Sequence, residues 1–390
     1  MLTDRVNTLS ESITIAITTL AQELKAQGKN ILSFSAGEPD FDTPQVIKDA
    51  AVSAINSGFT KYTAVDGIPD LKAAIALKLK RDNGLEYKPN QIIASNGAKH
   101  SLYNLFAATI QAGDEVIIPA PYWVTYPELV QYCGGSVIEI MTDDASGFKI
   151  TPEQLKNAIT PHTKMVILTS PSNPTGAVYS HDELVALGKV LEGTSIIVAS
   201  DEMYEKLIYD GEFASAAAVS DDMFQRTVTI NGLSKSVAMT GWRFGYMAAA
   251  NTELIQATKK LQSQSTSNIN SITQKAAIAG LNGAADADIE AMRIAFKARR
   301  DEAVKLFNEI DGLSVLSPAG AFYLFVNIKA VSNDSMEFCK GLLEDQGVAV
   351  VPGVGFGSEG YFRFSFATDI ESIREGIKRI AAFVASSRHP

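Results

Sequence analysis

The chain of 390 residues has only two cysteines, Cys133 and Cys339, far apart and in no CxxC spacing. That excludes a disulfide framework or a thiolate metal site and fits two free thiols in a reducing compartment. Its four histidines, His100, His162, His181 and His389, are scattered, so neither a zinc site nor a Ser-His-Asp triad is signalled and no metal is expected. Basic charge is short as well: 34 Lys and Arg against 44 Asp and Glu give a net charge of -10, with a pI near 5.1. Binding a nucleic-acid backbone needs a basic face, so no such partner is expected. No apolar run approaches a membrane span. The stretch "ITIAITTLA", between Glu11 and Glu23, is short and reads as the start of an amphipathic helix, not a signal peptide. There is no low-complexity block or long Pro/Gly/Ser linker, so disorder is not expected. A cytoplasmic protein is.

What is present suits a globular chain large enough for two domains: 46% hydrophobic residues and a mean hydropathy of +0.05. Short β-branched runs recur through the middle, at residues 91–95, 115–119, 136–140, 165–169, 195–199, 227–230 and 243–249. Between most of them, apolar residues spaced by three and four read as helices, as in Ala98 to Ile110 and Asp182 to Leu191. This is an α/β pattern, a mainly parallel seven-stranded sheet with helices on both faces. After Leu254 the chain turns helical to about Phe307, and a smaller α+β region follows, with strands near "FYLFVNI", "VAVVPG" and "YFRFSFA". The expected division is 1–45 as N-terminal arm and part of a small domain, 46–288 as large domain, and 289–390 as the rest of the small domain.

Ligands of open α/β sheets sit at the carboxyl ends of the strands. Past four of these strands stand "NGAKHS", "SPSNPTG", "SDEMY" and "NGLSK". "NGAKHS" is a Gly turn opening a helix, whose free N–H groups can hold a phosphate, though alone it is equally a plain helix start. "SPSNPTG" is a Pro-rich turn in which Asn173 either does more or does not. Asp201 ends a strand that reads as buried, and needs a cationic partner that its sequence neighbours do not supply. Lys235 lies in "NGLSKSVAMTGWRFGY" among small and apolar residues, with no other cation before Arg243. Partial desolvation there lowers its pKa and makes it a better nucleophile. Arg243 can meet a phosphate with its two-pronged guanidinium. A buried amine, a phosphate pocket and a carboxylate that needs a positive partner together suit pyridoxal 5'-phosphate. The lysine would hold its aldehyde as a Schiff base, and the carboxylate would keep the ring nitrogen protonated. "VPGVGFG" (351–357) hints at a dinucleotide site, but "SEGYF" after it opens no helix, so it reads as a turn.

In order along the whole chain, "SAGEPDFDTP" (35–44), "KYTAVDGIPDLK" (61–72), "PYWVTYPE" (121–128), "SPSNPTG" (170–176), "SDEMYEKLIYDG" (200–211) and the segment Leu233 to Gly245 resemble the class I aminotransferase family. Within it, the chain is similar to the aspartate aminotransferases of bacterial and thermophile type. The resemblance implies the fold-type I PLP-dependent transferase fold and a ping-pong exchange between L-aspartate and 2-oxoglutarate. It implies Lys235 as the catalytic lysine, Asp201 on the pyridine nitrogen, Asn173 and Tyr204 on the ring hydroxyl, and Trp123 over the ring. Gly97, Ala98, Lys99 and Arg243 would surround the phosphate, with Tyr62 reaching in from the other subunit of a homodimer. Arg363 would clamp the substrate α-carboxylate, helped by Asn173 and the backbone at Gly37, under a small domain closing through Gly37-Glu38-Pro39. The family often has a serine three residues before the lysine, where this chain has Gly232, leaving Ser234 to compensate. One branch takes its second substrate cation from the region reading "SQSTSNINS" (263–271), which has no arginine. The other uses the lysine matched by Lys99, so a dicarboxylic substrate is expected. Relatives that act on prephenate carry a lysine where this chain has Ser10, which argues against that substrate. Alanine- or kynurenine-type transfer and C–S lysis are the alternatives.

Overall fold

In a computed structural model, which describes residues 2–10 and 13–387, the strands follow the chain as β1 (Leu32–Ser33), β2 (Ile92–Ser95), β3 (Glu115–Ala120), β4 (Ser136–Met141), β5 (Thr163–Thr169), β6 (Ile197–Asp201), β7 (Thr227–Gly232) and β8 (Gly245–Ala249). Seven of them form one sheet in the order β2-β8-β7-β6-β5-β3-β4. Four of its pairings are parallel, β3 with β4 and β5, β5 with β6, and β6 with β7. β8 is antiparallel to both neighbours. The reason lies in residues 233–244, which join β7 to β8 without a helix to carry the chain back across the sheet. The sequence pattern places the last strand from 243, but Arg243 has φ +55° and belongs to this connection.

Helices cover both faces, as the alternation of side chains shows. Met165 and Ile167 of β5 enter one core with Val116 and Ile118 of β3, while Val166 and Leu168 enter another with Ile117. Each such fully buried aliphatic side chain contributes about 1.5–3 kcal/mol. The helices begin where their caps predict. Ser180 and Glu183 form a capping box at His181–Leu191, and Asn251 caps Thr252–Ser265.

A second, antiparallel sheet is built from β9 (Tyr323–Asn327), β11 (Val351–Pro352) and β12 (Tyr361–Ser365), with β12 in the middle. β1 pairs with β10 (Val348–Ala349), tying the N-terminal segment to this region. The helix Ile13–Ala26 packs there too, with Ala21 buried against Leu343 and Ala349. "VPGVGFG" forms β11 and a single 3₁₀ turn, Gly353–Phe356, leading back to β12. No helix among the described residues is long and apolar enough to cross a membrane.

Candidate active site

β2, β6 and β7 end at one edge of the sheet, and antiparallel β8 begins there. The connection 233–244 is pinned by buried Leu233, Val237, Met239 and Phe244. It presents Lys235, itself partly buried, to a cavity of about 680 Å³. The Nζ of Lys235 donates to the carbonyl of Gly37. Burial, with repulsion from Arg363 and Arg243 added and attraction to Glu38 and Asp201 opposing, lowers the ammonium pKa to about 8.

Two charged groups facing the same cavity have no opposite charge among their bonded partners. Asp201, 4% exposed at the end of β6, accepts from the hydroxyl of Tyr126 (2.7 Å) and the N–H of Met203 (3.3 Å). Burial raises its pKa, against those hydrogen bonds. Arg363, 2% exposed on the central strand β12, donates to Asn173 Oδ1 (2.9 Å) and the carbonyl of Ser35 (2.7 Å). Its guanidinium lies 4.4 Å from the ring centre of Tyr323 and 5.1 Å from that of Phe356, and its Nε has no partner. A buried guanidinium supported only by neutral groups is costly unless an anion joins it. Arg363 therefore makes no surface ion pair.

The register Ser95↔Gly245 brings the turn after β2 against the start of β8. Gly97 has φ +85°, and a β-carbon there would lie 2.6 Å from Nη2 of Arg243. The space left open is a cradle, with the N-terminus of the helix Ala98–Thr109 on one side and a guanidinium on the other. Arg243 also donates to the carbonyl of Thr240 (2.7 Å). Lys99 sits over the ring of Trp123 at 4.9 Å, its pKa lowered by burial and by Arg243. Ser234 faces the cavity, while a β-carbon at Gly232 would meet the carbonyl of Phe244 at 2.7 Å, which explains a glycine at that position.

The structure thus brings together at one cavity Gly37, Ala98, Lys99, Trp123, Asn173 and Asp201, and on its other side Tyr204, Lys235, Arg243 and Arg363, with Gly97 against Arg243. It does not bring Tyr62 there: that side chain is 91% exposed. Sequence reading passed over Tyr126, Tyr323 and Ser35. Tyr126, in the first turn of the helix Thr125–Tyr132, stands three residues after Trp123, and the two rings meet edge to face at 5.5 Å. The hydrogen bond between the hydroxyls of Tyr204 and Tyr323 (2.8 Å) joins segments 119 residues apart and left no local signal.

The protein-family model described as Aminotransferase class I and II matches residues 29–380. The chain belongs to this family. It is 50% identical over 389 residues to an aspartate aminotransferase of Bacillus subtilis, covering 98% of each chain. It is 48% identical to an aspartate/prephenate aminotransferase of Nitrosomonas europaea, over 98% of this chain and 100% of that one. Among solved structures, an aspartate aminotransferase from Thermus thermophilus with maleate superposes with a TM-score of 0.95 at 41% identity, covering 98% of this chain and 99% of the other. The aminotransferase works with pyridoxal 5'-phosphate. The residues at the cavity fit that group: a desolvated amine for its aldehyde, a carboxylate without a cation for its ring nitrogen, and the Gly97–Arg243 cradle for its phosphate.

Proposed function

We propose that the protein exchanges the amino group between L-aspartate and 2-oxoglutarate, giving oxaloacetate and L-glutamate, with the residues named from the sequence in the roles expected there. The observation that carries this is the buried, acid-free guanidinium of Arg363 opposite the amine of Lys235, with a second cation, Lys99, over Trp123 in the same cavity. One carboxylate of the substrate bonds Arg363 and the backbone at Gly37, and the other lies toward Lys99.

In this reading Lys235 tethers the cofactor, Asp201, oriented by the hydroxyl of Tyr126, holds its ring nitrogen, Asn173 and Tyr204 its ring oxygen, and Gly97, Ala98, Lys99 and Arg243 its phosphate, with Trp123 over the ring. When bound, the cofactor would supply an aldehyde carbon that accepts the substrate's amino nitrogen in place of that of Lys235, and a ring that draws electron density from Cα. Arg363 orients the substrate so that its Cα–H points at Nζ of Lys235, which accepts that proton. A positioned base contributes about 10²–10⁴-fold, most effectively when its pKa lies near the working pH. Segments 1–45 and 289–390 form the domain that closes on the substrate and excludes water. The protein acts as a cytoplasmic homodimer, with Tyr62 of each subunit reaching the phosphate held by the other.

Rates with aspartate, alanine, kynurenine and prephenate as amino donor or acceptor test the substrate assignment. Aspartate should be preferred, with one keto acid formed per amino group transferred and no ammonia released. Prephenate should be poor, because Ser10 supplies no cation at the cavity mouth. Lys235→Ala should abolish turnover, and negligible wild-type rate with aspartate would defeat the proposal.

A further inference from the structure

Residues 37–43 cross the mouth of the site, and their contacts divide between two bodies. On the side of the lysine-bearing connection, Glu38 accepts from Thr240 Oγ1 (2.8 Å). Thr43 Oγ1 donates to the carbonyl of Ala238 (2.7 Å) and accepts from Nε1 of Trp242 (3.0 Å). On the other side, Asp40 takes both prongs of Arg299, at 2.7 and 2.9 Å, from the middle of the helix Asp286–Asn308. The guanidinium of Arg299 also lies 5.2 Å from the ring of Phe41 and 5.5 Å from that of Phe296, and those two rings meet edge to face at 5.4 Å. Arg300, next in the chain, turns instead to Asp210 and Asp301. With side chains 15% and 29% exposed, and with forked geometry, the Arg299–Asp40 pair belongs with the stronger ion pairs, not the solvated surface kind. Arg299 itself is outside the cavity.

We propose that Arg299 is a positioning residue for substrate. Through Asp40 it fixes the loop whose first residue, Gly37, sets a carbonyl on Lys235, and whose preceding Ser35 sets a carbonyl on Arg363. The backbone that receives the α-carboxylate is thereby held from outside the site. The inference rests on the reading of Arg363 and Gly37 as the carboxylate site, and since every amino acid carries that carboxylate, it does not depend on aspartate being the donor.

The test is a double-mutant cycle on the holoenzyme with Arg299→Ala, Asp40→Ala and the pair combined, beside Arg363→Lys. Each single change is expected to raise KM for the amino acid about tenfold, the loss of about 1.4 kcal/mol of binding. The combined variant should raise it no further, with kcat within about twofold and the cofactor's visible absorbance unchanged. A purely structural pair would instead lower kcat and the thermal midpoint together, or leave KM flat, and either result overturns the proposal. A raised KM in Arg363→Lys with a flat cycle rejects Arg299 alone. An unchanged KM in Arg363→Lys rejects the carboxylate site and this inference with it.

Discussion

Lys235 and Arg363 repel each other across the cavity, and each is disfavoured as a cation by burial. The lysine can relieve this by losing its proton, whereas a guanidinium keeps its charge and waits for an anion. Hence the amine titrates near 8, and the arginine recruits carboxylate. In the cofactor-free protein, the folded chain carries fewer protons at Lys235 than the unfolded chain between about pH 8 and the ordinary value of 10.5. The burial penalty is complete below that window and fades as pH rises through it, so this group's contribution to stability grows with pH. Competitive labelling of the cofactor-free protein with acetic anhydride, read by mass spectrometry on the Lys235 peptide, should give a midpoint near pH 8, well below the ordinary lysine value of 10.5. A midpoint at 10.5 for Lys235 would show that the cavity does not desolvate it. This perturbation was legible in the sequence, because small and apolar neighbours within ten residues announce it. The pairing of Asp201 with Tyr126 was not, because β6 and the helix Thr125–Tyr132 meet only in space.

Strands, caps and the turn glycines are local features, and the sequence displays them: β3 and β5 are β-branched runs, and Ser180 with Glu183 announces a helix start. The direction of β8 is not local, since it follows from the absence of a crossover helix in residues 233–244. The turn after β2 shows how an element builds the site. Gly97 takes a backbone conformation closed to side-chain-bearing residues, and the missing Cβ leaves room for Arg243. Gly113 also has positive φ (+94°), but nothing lies within 4 Å of a β-carbon there. Gly97→Ala and Gly113→Ala should each cost on the order of 1–2 kcal/mol in stability. Only Gly97→Ala should also weaken pyridoxal 5'-phosphate, by about tenfold or more, since it displaces the guanidinium from the cradle. Absorbance titration of the two cofactor-free variants separates backbone strain from loss of the site, and equal affinities would contradict the cradle.

At the scale of the molecule, the N-terminal segment pairs with the C-terminal region through the two-stranded sheet of β1 and β10, a contact readable from the sequence only as an expectation about packing. Tyr62 is the sequence-named residue that the single chain leaves without a role. Its segment is nonetheless firmly held, for Gln262 donates to the carbonyl of Val65 and Gln274 to Thr63 Oγ1, each at 2.8 Å. A rigidly mounted tyrosine, 91% exposed and away from its own cavity, suits a contact with a second copy, where closed twofold symmetry would use it twice. Mixing two inactive variants tests this. A Lys235→Ala subunit still carries Tyr62, and a Tyr62→Ala subunit still carries Lys235. If Tyr62 serves the other subunit's site, each hybrid dimer has one complete site and one doubly defective site. Random reassociation makes about half of all dimers hybrid, so at limiting cofactor the mixture should recover about a quarter of wild-type activity. If Tyr62 acts within its own chain, or not at all, mixing restores nothing beyond the average of the two variants.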